Sequence, residues 1–156
     1  MDAVAEAAGA GKMSAYRHFA SKEELIAAAL EHHDPRHVRW LVGPDLLSAF
    51  DRLEAAAASE PFRGCPFVDA ALGAPATDGR AGRIAWRHKE HVIGALAGLA
   101  TQAGLPEPEE LAATMAMVID GAAAQAALAP DAASRRRIVR RGRRAAEVLL
   151  ASGRRP

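Results

Sequence analysis

The stretch that decides the fold is residues 4–25, which read V-A-E-A-A-G-A-G-K-M-S-A-Y-R-H-F-A-S-K-E-E-L. Its pattern predicts short helices over residues 1–8 and 11–19. They are joined at Gly9, because glycine can take the positive φ at which helices often stop. Ser21 and Glu24 form a capping box, in which each side chain accepts from a backbone N–H of the other residue. A third helix therefore begins after Ser21.

The rest of the chain is predicted to be helical as well. Only 4% of the residues are aromatic, and much of the hydrophobic half is alanine, which favours helices over β-sheets. We expect the third helix to end near residue 33, because the residue before Pro35 avoids the α region. Residues 36–42 are ambiguous. Further helices are predicted over residues 44–59, 67–72, 80–103, 107–129 and 131–151, so the predicted fold class is all-α.

Composition excludes several classes of protein. The single cysteine, Cys65, rules out an intrachain disulfide and favours a reducing compartment. No apolar run approaches a membrane span, and the N-terminal residues do not resemble a signal peptide. We therefore expect a soluble, cytoplasmic protein without a membrane partner. Neither paired carboxylates, a catalytic triad nor a phosphate-binding loop is found, so an enzyme is not expected.

Residues 4–25 resemble the most constant stretch of the tetracycline-repressor (TetR) family of transcriptional regulators. The matching motifs are V-A-E-A-A-G (residues 4–9), Y-R-H-F (16–19) and S-K-E-E-L (21–25). The resemblance implies a helix-turn-helix whose second helix enters the major groove of double-stranded operator DNA. It also implies that Val4, Ala8 and Phe19 hold the two helices together.

The resemblance carries over a set of DNA-binding residues. Tyr16 and Lys22 are expected to contact phosphates, and Ser14 and His18 are expected to contact base edges. Lys12 and Arg17 could reach either. Family members begin with a further helix that is absent before Met1. A late start site or a true loss of DNA binding would each account for this.

The resemblance divides the chain into a helix-turn-helix remnant (residues 1–33) and a C-terminal effector-binding and dimerisation domain (34–156). The small residues of the last two long helices are expected to form the interface of a homodimer, although they could instead pack inside one subunit. The predicted interface residues are Gly121, Ala122, Ala126, Ala145 and Leu149. The arginines of residues 135–144 are interpreted as a solvated helix face rather than a nucleic-acid site.

A small-molecule effector of unknown identity is expected to bind between the helices of this domain. The predicted pocket residues are Phe67, His88, His91, Cys65 and Met115, chosen from a wider set that includes Trp40, Phe62, Trp86 and Met117. The histidine pairs lack a complete ligand set, so neither a metal nor another cofactor is expected. Cys65 is more consistent with a buried or redox-sensing thiol than with a nucleophile.

The resemblance therefore predicts a DNA-binding transcriptional regulator that acts as a repressor and that a small molecule releases from its operator. The alternative is a helical ligand-binding and dimerising module that has lost DNA binding.

Overall fold

The computed structural model describes residues 2–7, 9, 12–73 and 79–152, and these residues form helices without strands. The all-α class is therefore confirmed. No helix in these ranges is both long enough and apolar enough to cross a membrane. The helices are α1 (Asp2–Ala7), α2 (Lys12–His18), α3 (Lys22–Val42), α4 (Ser48–Ala57), α5 (Pro66–Gly73), α6 (Arg80–Gln102), α7 (Pro108–Ala127) and α8 (Ala132–Ser152).

The third helix is longer than the sequence predicts. The prediction that it ends before Pro35 is wrong, because α3 continues through that residue to Val42. A proline inside a helix costs about 3 kcal/mol. The burial of Leu30 before Pro35, and of Leu41 and Val42 after it, offsets that cost. The predicted domain boundary between residues 33 and 34 thus falls inside a continuous helix.

The end of α3 is held by a side chain from α4. Gly43 follows the helix with φ of 67°. Arg52 then donates to the backbone carbonyl oxygens of Arg39 and Trp40, which no longer have partners within the helix. The helix α4 begins at Ser48 instead of Pro44, because the Asp45 carboxylate accepts from the N–H groups of Leu47 and Ser48.

The main core lies between α4, α6, α7 and α8. Its fully buried members include Phe50, Leu96, Met115 and Val139. The helices approach closely at Gly142, where an added Cβ would lie 2.8 Å from the Cβ of Ala122 and 3.2 Å from Phe50 Cε1. A second, smaller core joins α3, α5 and α6 around Phe67.

Several arginines of α8 fasten that helix to α4. Arg135 is 5% exposed, and its Nε donates to the carbonyl oxygen of Ala57 at 2.9 Å. Arg140 pairs with Glu54 at 2.7 Å, and Arg143 pairs with Asp51 at 3.4 Å. These arginines therefore act in the packing of two helices, whereas Arg137, Arg141 and Arg144 are exposed.

Candidate functional site

The helices α1 and α2 pack against each other across a turn at Gly9. The φ of Gly9 is 61°, and its N–H donates to the carbonyl oxygen of Glu6 at 3.0 Å. Ala5 is buried between the helices. The prediction that Val4 pins them together is wrong, because Val4 is 54% exposed. Phe19 is half-buried, and Ala8 lies outside the described residues.

The predicted DNA-binding residues lie along α2 and at the start of α3. Tyr16, Arg17, His18 and Lys22 are exposed, and Ser14 is half-buried. The side chain of Lys12 lies outside the part that the structure describes. The hydroxyl of Tyr16 donates to Asp2 Oδ1 at 3.4 Å, so a phosphate would have to replace a weak contact.

The predicted capping box is present with one difference. The N–H of Glu24 donates to Ser21 Oγ at 3.1 Å. The Glu24 carboxylate, however, accepts from the N–H of Ala20 at 2.7 Å and not from Ser21. Both contacts satisfy donors at the start of α3, and they fix Lys22 as the first residue of that helix.

The middle of α3 is fixed to α6 by a buried carboxylate. Asp34 is 7% exposed. Its two oxygens lie 2.7 Å from His88 Nδ1 and 2.6 Å from His91 Nδ1. Hydrogen bonds from both histidines lower the pKa of Asp34, although burial alone would raise it. Because an ionised carboxylate only accepts, His88 donates through Nδ1, which leaves its buried Nε2 without a partner.

His37 lies beside this cluster. Its ring centroid is 4.9 Å from that of His88 and 5.3 Å from that of Phe67, and Phe67 stacks on His88 at 3.6 Å. Burial, together with the smaller electrostatic effects of His88 and Lys89, lowers the pKa of His37 to about 4 against the opposing effect of Asp34. His37 is therefore neutral at physiological pH.

A cavity of about 550 Å³ lies next to His37. Its wall is built from α3, α4, α5, α7 and the segment before α5. The lining residues are His37, Trp40, Leu41, Leu53, Ala56, Ser59, Pro61, Phe62, Arg63, Gly64, Cys65, Pro66, Asp69, Ile119, Asp120 and Ala123. The volume is within the usual range for small-molecule sites.

The cavity includes only part of the predicted pocket. Cys65 lines it, as do Trp40 and Phe62 from the wider set. Phe67 and His88 are buried in the adjacent layer and do not line it, whereas Met115 lies in the main core. The side chain of His91 is half exposed. Trp86 and Met117, also in the wider set, are 66% and 74% exposed and do not line this cavity.

Sequence reasoning missed the carboxylates and most aliphatic residues of the cavity wall. Asp69 and Asp120 come from different helices, so no motif relates them. Each is paired: Arg63 donates to Asp69 through two nitrogens, at 2.9 and 3.3 Å, and Lys89 donates to Asp120 at 2.5 Å. Lys89 Nζ also lies 3.6 Å from Cys65 Sγ. Among the residues described, no group of His, Cys, Asp and Glu is placed to hold a metal ion.

The predicted dimer residues divide into two groups. Ala122 and Ala126 are buried within the chain, at 6% and 0% exposure. Gly121 and Leu149 are half-buried, and Ala145 is exposed. The outer faces of α7 and α8 also expose the large apolar side chains of Met117, Leu128 and Val148. Of the predicted interface residues, Gly121, Ala145 and Leu149 are therefore the ones that remain accessible to a partner.

The chain resembles known proteins both in its N-terminal sequence and in its fold. The family model for bacterial regulatory proteins of the tetR family matches residues 1–29. Among curated proteins, none matches the chain. A crystal structure from Streptomyces avermitilis, assigned to the TetR transcriptional regulators, superposes with a TM-score of 0.78 at 26% identity, over 98% of this chain and 86% of that one.

A second crystal structure shares the same fold. It is a TetR-family transcriptional regulator from Streptomyces coelicolor, with a TM-score of 0.77, 23% identity, and coverage of 99% of this chain and 84% of that one. The sequence match lies on the turn at Gly9 and the helices beside it, and the fold match extends over nearly the whole chain. The N-terminal residues therefore match the tetR family model, and nearly the whole chain has the fold of these two TetR-family structures.

Proposed function

We propose that the chain is a dimeric transcriptional repressor that binds operator DNA through α2 and the start of α3, and that a small molecule in the cavity releases it. The observation that carries this proposal is the continuity of α3. One helix begins at the DNA-binding end, at Lys22, and reaches the cavity wall at His37, Trp40 and Leu41.

The DNA-binding half of the proposal rests on exposure and position. Arg17 and His18 extend from the last turn of α2, and Lys22 lies in the first turn of α3, where the helix dipole also favours an anion. All three side chains are exposed. Phosphate contacts from such residues position a recognition helix without reading sequence, whereas Ser14 and His18 are the candidates for base contacts.

The effector half rests on how α3 is held. Asp34 fixes the middle of the helix to α6, while the C-terminal part of the helix forms a wall of the cavity. A molecule in the cavity contacts α3 beyond that fixed point. An effector that binds one orientation of α3 better than another shifts the population between a DNA-binding and a released form.

The proposal of a dimer rests on the outer faces of α7 and α8. Met117 and Leu128 of α7 are 74% and 86% exposed, and Val148 of α8 is 65% exposed. Large exposed apolar patches commonly mark interaction sites. A symmetric partner on this surface would bring two recognition helices to the two half-sites of an operator.

The direct test is fluorescence anisotropy of a labelled fragment from upstream of the chain's own gene, with unrelated DNA as competitor and at several salt concentrations. We expect specific binding that weakens with salt. The Lys22→Ala variant should bind all sequences more weakly and reduce the salt slope by about one. Arg141→Ala, which removes an exposed arginine of α8, is the matched control and should bind like the wild type.

One observation favours the second candidate, a ligand-binding module without DNA binding. Val4 and Met13 are 54% and 82% exposed, so α1 and α2 bury little apolar surface within the described residues. Equal affinity for the upstream fragment and for unrelated DNA, with ligand binding intact, would favour this module and contradict the repressor.

A further inference from the structure

The cavity wall is apolar over most of its surface. Trp40, Leu41, Leu53, Phe62 and Ile119 supply large apolar side chains. Burial of apolar ligand surface against such a wall is favourable, because it removes that surface from water. The cavity therefore favours a ligand whose main body is apolar. The polar groups of that ligand must form hydrogen bonds with the few polar side chains of the wall.

The charged side chains of the wall are already neutralised. Arg63 and Asp69 form a two-point ion pair at the mouth, where Arg63 is 73% exposed. Asp120 is paired with Lys89, whose side chain is 14% exposed and lies behind the wall. His37 is neutral near pH 7, since its pKa is lowered to about 4. An anionic ligand would find no unpaired cation among the described lining residues.

Among neutral molecules, Asp120 favours those that can donate a hydrogen bond. A carboxylate can accept more than one hydrogen bond, so it can receive a ligand hydroxyl beside Lys89. An entering carboxylate would instead face Asp120 as a like charge and would lose its hydration without compensation. An entering ammonium would have to compete with Lys89, which is already in place at 2.5 Å.

We propose that the cavity takes a neutral, largely apolar molecule that carries a hydroxyl or another hydrogen-bond donor, and that it rejects an anion of the same size. This inference rests on the proposed function, because it specifies the ligand of the proposed effector cavity. Its determinants are the apolar wall and Asp120, which is paired with Lys89.

The test compares three molecules with one aromatic body: 2-naphthylmethanol, 2-naphthoate and 2-naphthylmethylammonium. Their binding to the full chain is measured by isothermal titration calorimetry at pH 7.5. We expect the alcohol to bind at least tenfold more tightly than either ion. The variant Ala56→Phe, which fills the cavity from α4, should abolish this binding, whereas Ala55→Phe on the exposed face of α4 should retain it. Circular dichroism checks that both variants fold.

Substitutions of the two carboxylates in the cavity wall test which of them disfavours the binding of an anion. Asp120→Asn leaves Lys89 without its carboxylate, so naphthoate should bind at least fivefold more tightly than to the wild type. Asp69→Asn is the matched control, and it should change naphthoate binding less than twofold, because Arg63 at the mouth is exposed and screened by solvent. The filled variant Ala56→Phe also separates binding in the cavity from binding of naphthoate to the arginines of α8.

The possible outcomes test separately the class of ligand and the use of the cavity as a binding site. If naphthoate or the ammonium binds the wild type as tightly as the alcohol, and Ala56→Phe abolishes that binding, the proposed ligand class is wrong and the cavity remains a ligand site. If none of the three binds, or if Ala56→Phe binds them like the wild type, the inference about the ligand class of this cavity is overturned. The DNA-binding half is measured separately by anisotropy.

Discussion

At the scale of single residues, the unusual feature is a cluster of imidazoles around one carboxylate. Asp34 joins His88 and His91, and His37 packs against the ring of His88. The sequence places His37 close to His32, His33 and Asp34 but does not show which of them turns inward. Exposure settles this, since His32 and His33 are exposed while Asp34 is buried and His37 half-buried.

The low pKa of His37 predicts a dependence of stability on pH. In the unfolded chain an imidazole takes up a proton near pH 6.5, whereas in the folded chain His37 remains neutral down to about pH 4. The unfolded state therefore binds more protons in this window, and the free energy of unfolding falls as the pH is lowered from about 6.5 to about 4.

Urea unfolding at pH 7 and pH 5 measures this contribution. We expect His37→Gln to lose less stability than the wild type between these two pH values, by roughly 1 kcal/mol after allowance for solvent screening. His33→Gln, which removes an exposed imidazole from the same helix, should behave like the wild type. An equal loss of stability in the wild type and in His37→Gln would show that His37 does not titrate as described.

At the scale of helices, the close approach of α7 and α8 depends on Gly142. A methyl group there would lie 2.8 Å from the Cβ of Ala122, which belongs to a buried helix side chain and cannot swing away. Gly142→Ala should therefore destabilise the protein by about 1–3 kcal/mol, despite the gain in helix propensity.

Gly98→Ala is the matched control for this prediction. Gly98 lies within α6, and a Cβ added there would have no atom within 4 Å among the described residues, apart from its chain neighbours and the backbone of its own helix. This substitution should raise the free energy of unfolding by up to about 1 kcal/mol, because alanine favours helix over glycine. Denaturant unfolding of the two variants should give opposite signs, and stabilisation by both would contradict the packing described for α8.

The helices could largely be predicted from the sequence, and the cavity could not. Periodicity and caps correctly predicted the short helices beside Gly9 and the capping contact at Ser21. Pro35 was misleading, since packing on both sides of it outweighs its local preference. The cavity wall combines residues from distant segments, so neither Asp120 nor Leu53 carried a recognisable signal.

At the scale of the whole molecule, α3 connects the proposed DNA-binding surface to the cavity. It starts at the surface proposed to contact DNA, passes the buried Asp34, and ends in the cavity wall. The arginines of α8, which suggest a nucleic-acid site by composition alone, are partly used to hold α4, as the pairs of Arg135 and Arg140 illustrate. The proposed regulation therefore depends on α3 and the cavity beside His37, and not on the charge of α8.

The central claim is that a molecule in the cavity weakens DNA binding, and the most direct measurement is the affinity for the upstream DNA fragment with and without saturating 2-naphthylmethanol. We expect the wild type to lose at least fivefold in affinity, which is the lower end of typical allosteric coupling. We expect no change in the Ala56→Phe variant, whose cavity is filled. An unchanged DNA affinity in wild-type protein that calorimetry shows to be saturated with the alcohol would contradict the account.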